Sequence, residues 1–256
     1  MKTRLLLQKL AKRFPKRYAK MNHDFVGLMT GKLPEEVNSI LLCLDFDQEV
    51  LPLLEENKPD LILTHHPFIY GTRAKVLKYD KLKEELCHEI DELGVPIYST
   101  HTNFDTGKDG MNDALAELLG LNNVYAPETN IMMRIGELEE AMPTEEFAKF
   151  AKAKLDVDYA LLIANGNQTV KKVGIIGGGG SRSWNIARDE GCDIYISGDT
   201  PHHVRRSIVN EHFNYLDVPH EVERVFMPQM KKILLEIDPK LRVLMVDHEK
   251  MPIVIK

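Results

Sequence analysis

Two adjacent histidines end a short apolar segment in the first third of the chain. The stretch DLILTHHP, residues 60–67, predicts a buried strand that its proline terminates. Ligands of open α/β sheets bind at the carboxyl ends of strands, and histidine is the commonest metal ligand among the side chains. His65 and His66 are therefore candidate metal ligands. The alternative at this point is that two polar residues merely close the strand.

The same pattern follows the other predicted strands. Nitrogen and oxygen donors come at or just after the strand ends, and they are His101, Asp105, Asp199, His202, His203, His220 and Glu223. Six of the ten histidines fall in these few loops, whereas solvated surface histidines would be scattered. Such donors without sulfur suit catalytic Zn²⁺, Fe, Mn²⁺ or Co²⁺. Two half-sites of imidazole and carboxylate would hold two metal ions about 3.5–4 Å apart and activate a water molecule.

Strands and helices alternate along the chain, which predicts an α/β fold. A shift of 133 positions places Ile40 on Val173 and Asp60 on Asp193, and the two β-loop-α-β units have equal length. This repetition indicates an internal duplication. We predict a first half over residues 1–125, a connector over residues 126–170 and a second half over residues 171–256, which together make one compact unit.

Composition limits the classes of function. The net charge is −6 and the pI is about 5.9, so no global basic field attracts nucleic acid. Residues 4–20 are rich in Lys and Arg and contain no acidic residue; a solvated helix face explains this most simply, and a local basic patch is the alternative. No apolar segment is long enough for a membrane span. The three cysteines are scattered, which predicts reduced thiols in a cytoplasmic protein.

Several longer motifs resemble those of a known family. They are LILTHHPFI, YSTHTNFD with GMNDALAELLGL after it, VGIIGGGG, YISGDTPHH and PHEVERVF. In this order they resemble the NIF-three-like family, whose members are dinuclear-metal-centre proteins often described as GTP cyclohydrolase 1 type 2 homologues. The resemblance implies duplicated, intertwined α/β halves in a toroidal homohexamer with metal sites facing its interior. It also implies that two divalent metal ions are held by His65, His66, Asp105, His220 and Glu223.

The chain departs from the family pattern in two places. A proline, Pro219, stands where the family usually has glycine before the last histidine, and both Glu221 and Glu223 follow. We prefer Glu223 as the ligand because residues i and i+3 of a helical turn share a face. The early Trp-Asp-Asn-x-Gly-Leu pattern appears as HDFVGL, residues 23–28, which leaves the role of that loop open.

Further residues have both a functional and a structural interpretation. His101 heads the HTNFD motif and could support a ligand or carry a proton, or be structural. His203 matches the family's Gly-Asp-x-x-x-His and could bind substrate or transfer a proton. The glycine run over residues 177–180 could cradle a phosphate, but it lacks the P-loop lysine, so a close-packing turn is preferred.

Two classes of function follow from these observations. The first is a metal-dependent hydrolase that acts on a nucleotide or another small substrate, with His101 or His203 moving protons. The second is a non-catalytic, metal-binding hexameric ring that acts as a regulator, metal carrier or DNA-associated protein. The sequence does not identify substrate-binding residues. The acidic net charge gives no support to a nucleic-acid partner.

Overall fold

A computed structural model describes residues 1–255. The helices are α1 (Thr3–Arg13), α2 (Lys16–Met21), α3 (Pro52–Asn57), α4 (Arg73–Tyr79), α5 (Lys81–Leu93), α6 (Thr102–Thr106), α7 (Met111–Leu118), α8 (Thr144–Lys154), α9 (Trp184–Asp189), α10 (His202–Asn210) and α11 (Phe226–Ile237). The strands are β1 (Gly27–Thr30), β2 (Ser39–Cys43), β3 (Leu61–Thr64), β4 (Ile97–Ser99), β5 (Asn122–Tyr125), β6 (Arg134–Pro143), β7 (Leu161–Ile163), β8 (Thr169–Ile175), β9 (Ile194–Ser197), β10 (Asn214–Asp217) and β11 (Arg242–Met245). Ser181–Ser183 and His220–Val225 are short 3₁₀ helices. The predicted α/β class is confirmed.

The chain forms two compact units. The first contains residues 1–110 and 226–249, and the second contains residues 111–225 and the tail from residue 250. The chain thus leaves the first unit and returns to it, because β11 pairs in parallel with β2, with Val243 opposite Ile40. The predicted boundaries at 125 and 170 differ from this division, since a strand that pairs with a distant partner leaves no local signal at the point of return.

The first unit is built on a five-stranded sheet in the order β1-β4-β3-β2-β11. Strands β2, β3, β4 and β11 are parallel, and β1 is an antiparallel edge strand. Every residue of β2 and β3 is buried, as expected of a sheet covered on both faces. Helix α5 covers part of it with Leu86, Cys87 and Ile90. The carboxyl ends of β2, β3 and β4 therefore meet at one edge.

The second unit is built on a six-stranded sheet in the order β5-β6-β8-β9-β10-β7. Strands β8, β9 and β10 are parallel, while β5, β6 and β7 pair antiparallel. Residues 126–170, which we predicted as a connector, supply β6, α8 and β7 to this unit. Strand β6 belongs to its sheet because it pairs antiparallel with β8, and β7 because it pairs antiparallel with β10.

The duplication is visible in matched hydrogen bonds. The carboxylate of Asp60 accepts the backbone N–H groups of Asn38 and Ser39 at 2.8 and 2.9 Å. At positions 133 residues further on, the carboxylate of Asp193 accepts those of Lys171 and Lys172 at 2.9 and 2.8 Å. Each aspartate thus ties the start of its own strand to the preceding parallel strand.

Two further features concern the lengths of the helices and the state of the cysteines. In the part of the chain that the structure describes, no helix combines the length and the apolar character that crossing a membrane requires. The cysteines Cys43, Cys87 and Cys192 are buried and not in disulfides, as the sequence predicts. Burial raises the pKa of the Cys192 thiol to about 12, so this residue is a packing element rather than a nucleophile.

Candidate metal centre

Three histidines of the first unit form one cluster. His65 and His66 directly follow β3, and His101 follows the neighbouring parallel strand β4. The ring centres are 5.1 Å apart for His65 and His66, 5.2 Å for His65 and His101, and 5.6 Å for His66 and His101. One ring nitrogen from each lies within 4.8 Å of the other two. We call these residues the three-histidine cluster.

His65 is the most buried member of the cluster. Its exposed fraction is 0%, and its ring packs against Phe104 and Phe226 at centroid distances of 6.2 and 5.3 Å. Its Nε2 lies 3.4 Å from Oδ1 of Asp105. Asp105 is also buried and comes from α6, the short helix of the HTNFD motif. An imidazole and a carboxylate held together in an apolar wall are a donor pair for a divalent ion.

Carboxylates outside the cluster fix the orientation of two of its rings. Nδ1–H of His66 donates to Asp45 at 2.6 Å, and Nδ1–H of His101 donates to Asp24 at 2.8 Å. A neutral imidazole that donates through Nδ1 carries its lone pair on Nε2. Metal-bound histidines usually have this arrangement, in which a carboxylate or carbonyl sets the tautomer and the ring plane. The donor set therefore fits a divalent metal ion.

The environments of Asp24 and Asp45 keep these hydrogen-bond acceptors ionised. Burial raises the pKa of Asp24, but the hydrogen bond and the charge of His101 outweigh burial and leave the pKa below its ordinary value. The balance at Asp45 is the same, with His66 lowering the pKa. Both groups are thus anionic at neutral pH. Neither residue is among the candidates from the sequence, although Asp45 comes two residues after β2 and Asp24 stands in the loop over residues 23–28.

Replacing Asp45 with asparagine is expected to lower metal affinity about 10–100-fold, because the amide no longer orients His66 as an anionic acceptor. Asp47→Asn is the matched control, since Asp47 lies in the same loop but contacts His248 at 3.2 Å. Competition titration with a chelating dye measures both affinities. Equal affinity in the two variants would show that Asp45 does not position the ligand.

The second unit holds an imidazole and a carboxylate at the end of β10. His220 and Glu223 lie on the 3₁₀ helix His220–Val225, in which residues three apart share a face. Nε2 of His220 is 3.1 Å from Oε2 of Glu223, and Nδ1–H of His220 donates to Asp199 at 2.6 Å. Glu223 is 4% exposed, whereas Glu221 lines an open cleft of about 460 Å³. We call His220 and Glu223 the His–Glu pair.

The glycine run over residues 177–180 packs directly against the His–Glu pair. Gly178 has φ of +59°, and a Cβ atom there would lie 2.7 Å from Cδ of Glu223 and 3.1 Å from Nε2 of His220. The carbonyl of Gly178 accepts hydrogen bonds from the Ser197 hydroxyl and the Gly198 N–H. The run is thus a close-packed turn, which is the alternative preferred from the sequence.

His220 is expected to make the stability of the metal-free protein depend on pH. Burial lowers its pKa, but hydrogen bonds and charges from Glu223 and Asp199 outweigh burial and raise the pKa from 6.5 to about 9. The protonated ring therefore stabilises the fold below about pH 6.5, and this contribution is lost as the pH rises through about 9. Urea unfolding of chelator-treated protein at both ends of this range measures the loss. His220→Gln should reduce the loss; an unchanged pH dependence would contradict the assignment.

The remaining site candidates fall into two groups. His101 joins the three-histidine cluster, as described above. His202 and His203 lie exposed on α10, and neither belongs to a group of potential metal ligands within residues 1–255. In the sequence both residues come shortly after the end of β9, but they begin helix α10. The proposed proton-transfer role of His203 receives no support from a contact with the His–Glu pair.

Fold and donors together define a class of protein, namely a duplicated α/β chain with imidazole and carboxylate donors at the carboxyl ends of parallel strands. The chain belongs to the Duf34/NIF3 (NGG1p interacting factor 3) family, whose profile matches residues 1–252. A relative from Clostridium perfringens, named GTP cyclohydrolase 1 type 2 homolog, is 31% identical over 207 residues, which cover 78% of this chain and 79% of the relative.

Solved structures show the same fold. A Bacillus cereus protein related to NIF3 matches with a TM-score of 0.87 at 21% identity, covering 100% of this chain and 99% of that one. A Staphylococcus aureus hypothetical protein matches with a TM-score of 0.89 at 22% identity, covering 99% of both chains. The predicted family and the duplicated α/β fold are therefore confirmed.

Proposed function

We propose that this protein binds two divalent metal ions through His65, His66, Asp105, His220 and Glu223 and uses them in hydrolysis. One observation carries the proposal: a carboxylate orients His66, His101 and His220 alike through Nδ1. Metal-bound histidines typically have a carboxylate or carbonyl partner of this kind, which directs the second ring nitrogen toward the metal ion. Repetition of the arrangement in both units supports a shared purpose.

Divalent ions in such a donor set supply an activated water molecule near neutral pH. The protein's own residues supply orientation and proton transfer. The buried Asp105 places a carboxylate oxygen 3.4 Å from Nε2 of His65, and Asp24 holds His101 in a defined tautomer by accepting from its Nδ1–H. His101 is about one-fifth exposed at its side chain, so it can exchange a proton with solvent. We assign it the role of proton carrier in the first unit.

The substrate class is a small molecule, and a nucleotide is the first candidate. Curated relatives share the name GTP cyclohydrolase 1 type 2 homolog, and for this chain that name suggests attack of water on the imidazole ring of GTP. Turnover of GTP by metal-loaded protein, measured by release of formate, tests the assignment. The activity should be lost in His66→Ala and kept in His202→Ala. Full metal occupancy without turnover of any nucleotide would contradict the hydrolase assignment and favour a non-catalytic metal-binding ring.

We also propose self-association, with a homohexamer as the expected assembly. This proposal rests on the family resemblance. Light scattering coupled to size-exclusion chromatography gives the mass directly, and a mass of one chain, about 29.3 kDa, would contradict it.

A further inference from the structure

A basic cleft lies on the first unit beside the loop that positions His101. It lies against α2, residues 25–29 and residues 69–73, and its volume is about 320 Å³. That volume is at the lower end of the range for small-molecule sites. Its lining includes Lys16, Lys20, Asp24, Phe25 and Arg73. We call this feature the basic cleft.

Two lysines give the basic cleft its positive charge. Lys16 and Lys20 are exposed and lie four residues apart on α2, so they share one face. Neither forms an ion pair with a carboxylate within residues 1–255. Other basic residues nearby are neutralised, since Arg13 pairs with Asp109 and Glu236, and Arg73 pairs with Asp91. In the described part of the chain, Lys16 and Lys20 thus remain without a carboxylate partner at the cleft, although the ammonium of Lys16 lies 5.5 Å from the centre of the Tyr98 ring.

An exposed aromatic pair adds a second element. Phe25 is 37% exposed and Tyr70 is 63% exposed, and their rings meet edge to face at 5.4 Å. The cleft wall also contains the buried Ile69 and the half-buried Met29. An exposed aromatic ring and apolar wall residues, with two lysines in the same lining, match a ligand that combines a planar ring and an anion.

The cleft is coupled to the candidate site through Asp24. This side chain is only 2% exposed and belongs to the cleft lining. The same carboxylate accepts hydrogen bonds from Nδ1 of His101 and from the hydroxyl of Thr102 at 2.8 and 2.7 Å. A ligand in the basic cleft would therefore lie against the loop that orients the proposed proton carrier.

We propose that the basic cleft binds a small phosphate-bearing molecule with a planar ring, with Lys16 and Lys20 contacting the phosphate and Phe25 contacting the ring. The inference rests on the proposed function, in that the bound molecule is the substrate or product of the metal centre. Two ammonium groups one helical turn apart match the multiple charges of a phosphate group better than a single carboxylate.

Equilibrium binding of GDP, inorganic pyrophosphate and guanosine to the full chain tests the proposal at fixed low salt. The double variant with Lys16→Ala and Lys20→Ala should bind GDP and pyrophosphate with an affinity lowered roughly tenfold or more. Phe25→Ala should lower the affinity for GDP about tenfold and leave the affinity for pyrophosphate unchanged. Lys9→Ala with Lys12→Ala is the matched control, because it removes the same charge from exposed positions outside the cleft, and it should change neither affinity by more than about twofold.

Three results would overturn the proposal: no GDP binding by the native chain, equal losses in the two double variants, or GDP binding unaffected by Phe25→Ala. Equal losses would indicate a diffuse basic field of the kind that holds a nucleic-acid polymer. Metal content is measured on the same samples. Protein that holds metal without binding GDP contradicts the cleft alone, whereas protein that binds GDP without holding metal contradicts the metal centre alone.

Discussion

Replacing His66 with alanine is expected to reduce the metal bound by the purified protein from about two ions per chain to one or none. The ring is oriented by Asp45 through a hydrogen bond of 2.6 Å and lies beside His65 and His101 in the three-histidine cluster. Loss of an oriented ligand should exceed the 10–100-fold effect that removal of a supporting group produces, about 1.4–2.7 kcal/mol. Glu223→Ala should have an effect of the same size.

The control for this experiment is a histidine that lies outside both donor groups. His203→Ala removes an exposed imidazole of α10 and should leave metal content unchanged. Elemental analysis of protein dialysed under identical conditions gives the comparison. If His66→Ala and His203→Ala retain the same amount of metal as the native chain, His66 is not a ligand. A parallel unfolding curve shows whether the loss reflects the site rather than the fold.

Replacing Gly178 with alanine should remove metal binding by the second unit and lower stability more than backbone strain alone would. Its φ of +59° disfavours a side chain, and the added methyl group would press on Glu223 and His220. Strain of this kind costs about 1–2 kcal/mol, and displacement of the buried Glu223 adds to it. The glycine turn thus serves as a packing surface that keeps the His–Glu pair in place.

Gly191→Ala is the control that separates the effect of backbone strain from the effect of contact with the His–Glu pair. Gly191 has φ of +75°, and a Cβ atom added there meets nothing within 4 Å. Gly191→Ala should therefore show the loss of stability that strain causes while retaining native metal content. Urea unfolding and elemental analysis of both variants give the two readouts. Native metal content in Gly178→Ala would mean that the turn does not support the His–Glu pair.

Local signals in the sequence predicted the elements that carry the site. Apolar residues at helical spacing over residues 79–94, with Gly94 at the end, predict a helix. It is observed as α5, with Asp80 accepting the N–H of Lys83 at its start and Gly94 in the left-handed conformation at its end. Strand β3 was also predictable from its own residues, since a buried parallel strand is a nearly continuous apolar run. Because parallel strands end at one edge, the histidines after β3 and β4 could be expected to cluster.

Non-local features could not be predicted in the same way. The hydrogen bond of Asp24 to His101 joins residues 77 positions apart, and no periodicity links them. The return of α11 and β11 to the first unit depends on pairing with β2, which is about 200 residues earlier. Asp45 could have been predicted, because it follows β2, the strand that pairs with β3, and His65 and His66 follow β3. Asp24 was harder to predict, because residues 23–28 depart from the family pattern.

Metal content per chain, measured on protein purified without added metal, tests the central claim most directly. About two equivalents of Zn, Fe, Mn or Co are predicted, and the variant carrying His66→Ala and Glu223→Ala should contain none. Absence of metal in the native chain, even after reloading with each of these ions, would contradict the account. The three-histidine cluster and the His–Glu pair would then be structural, and the hydrolase proposal would fall with them.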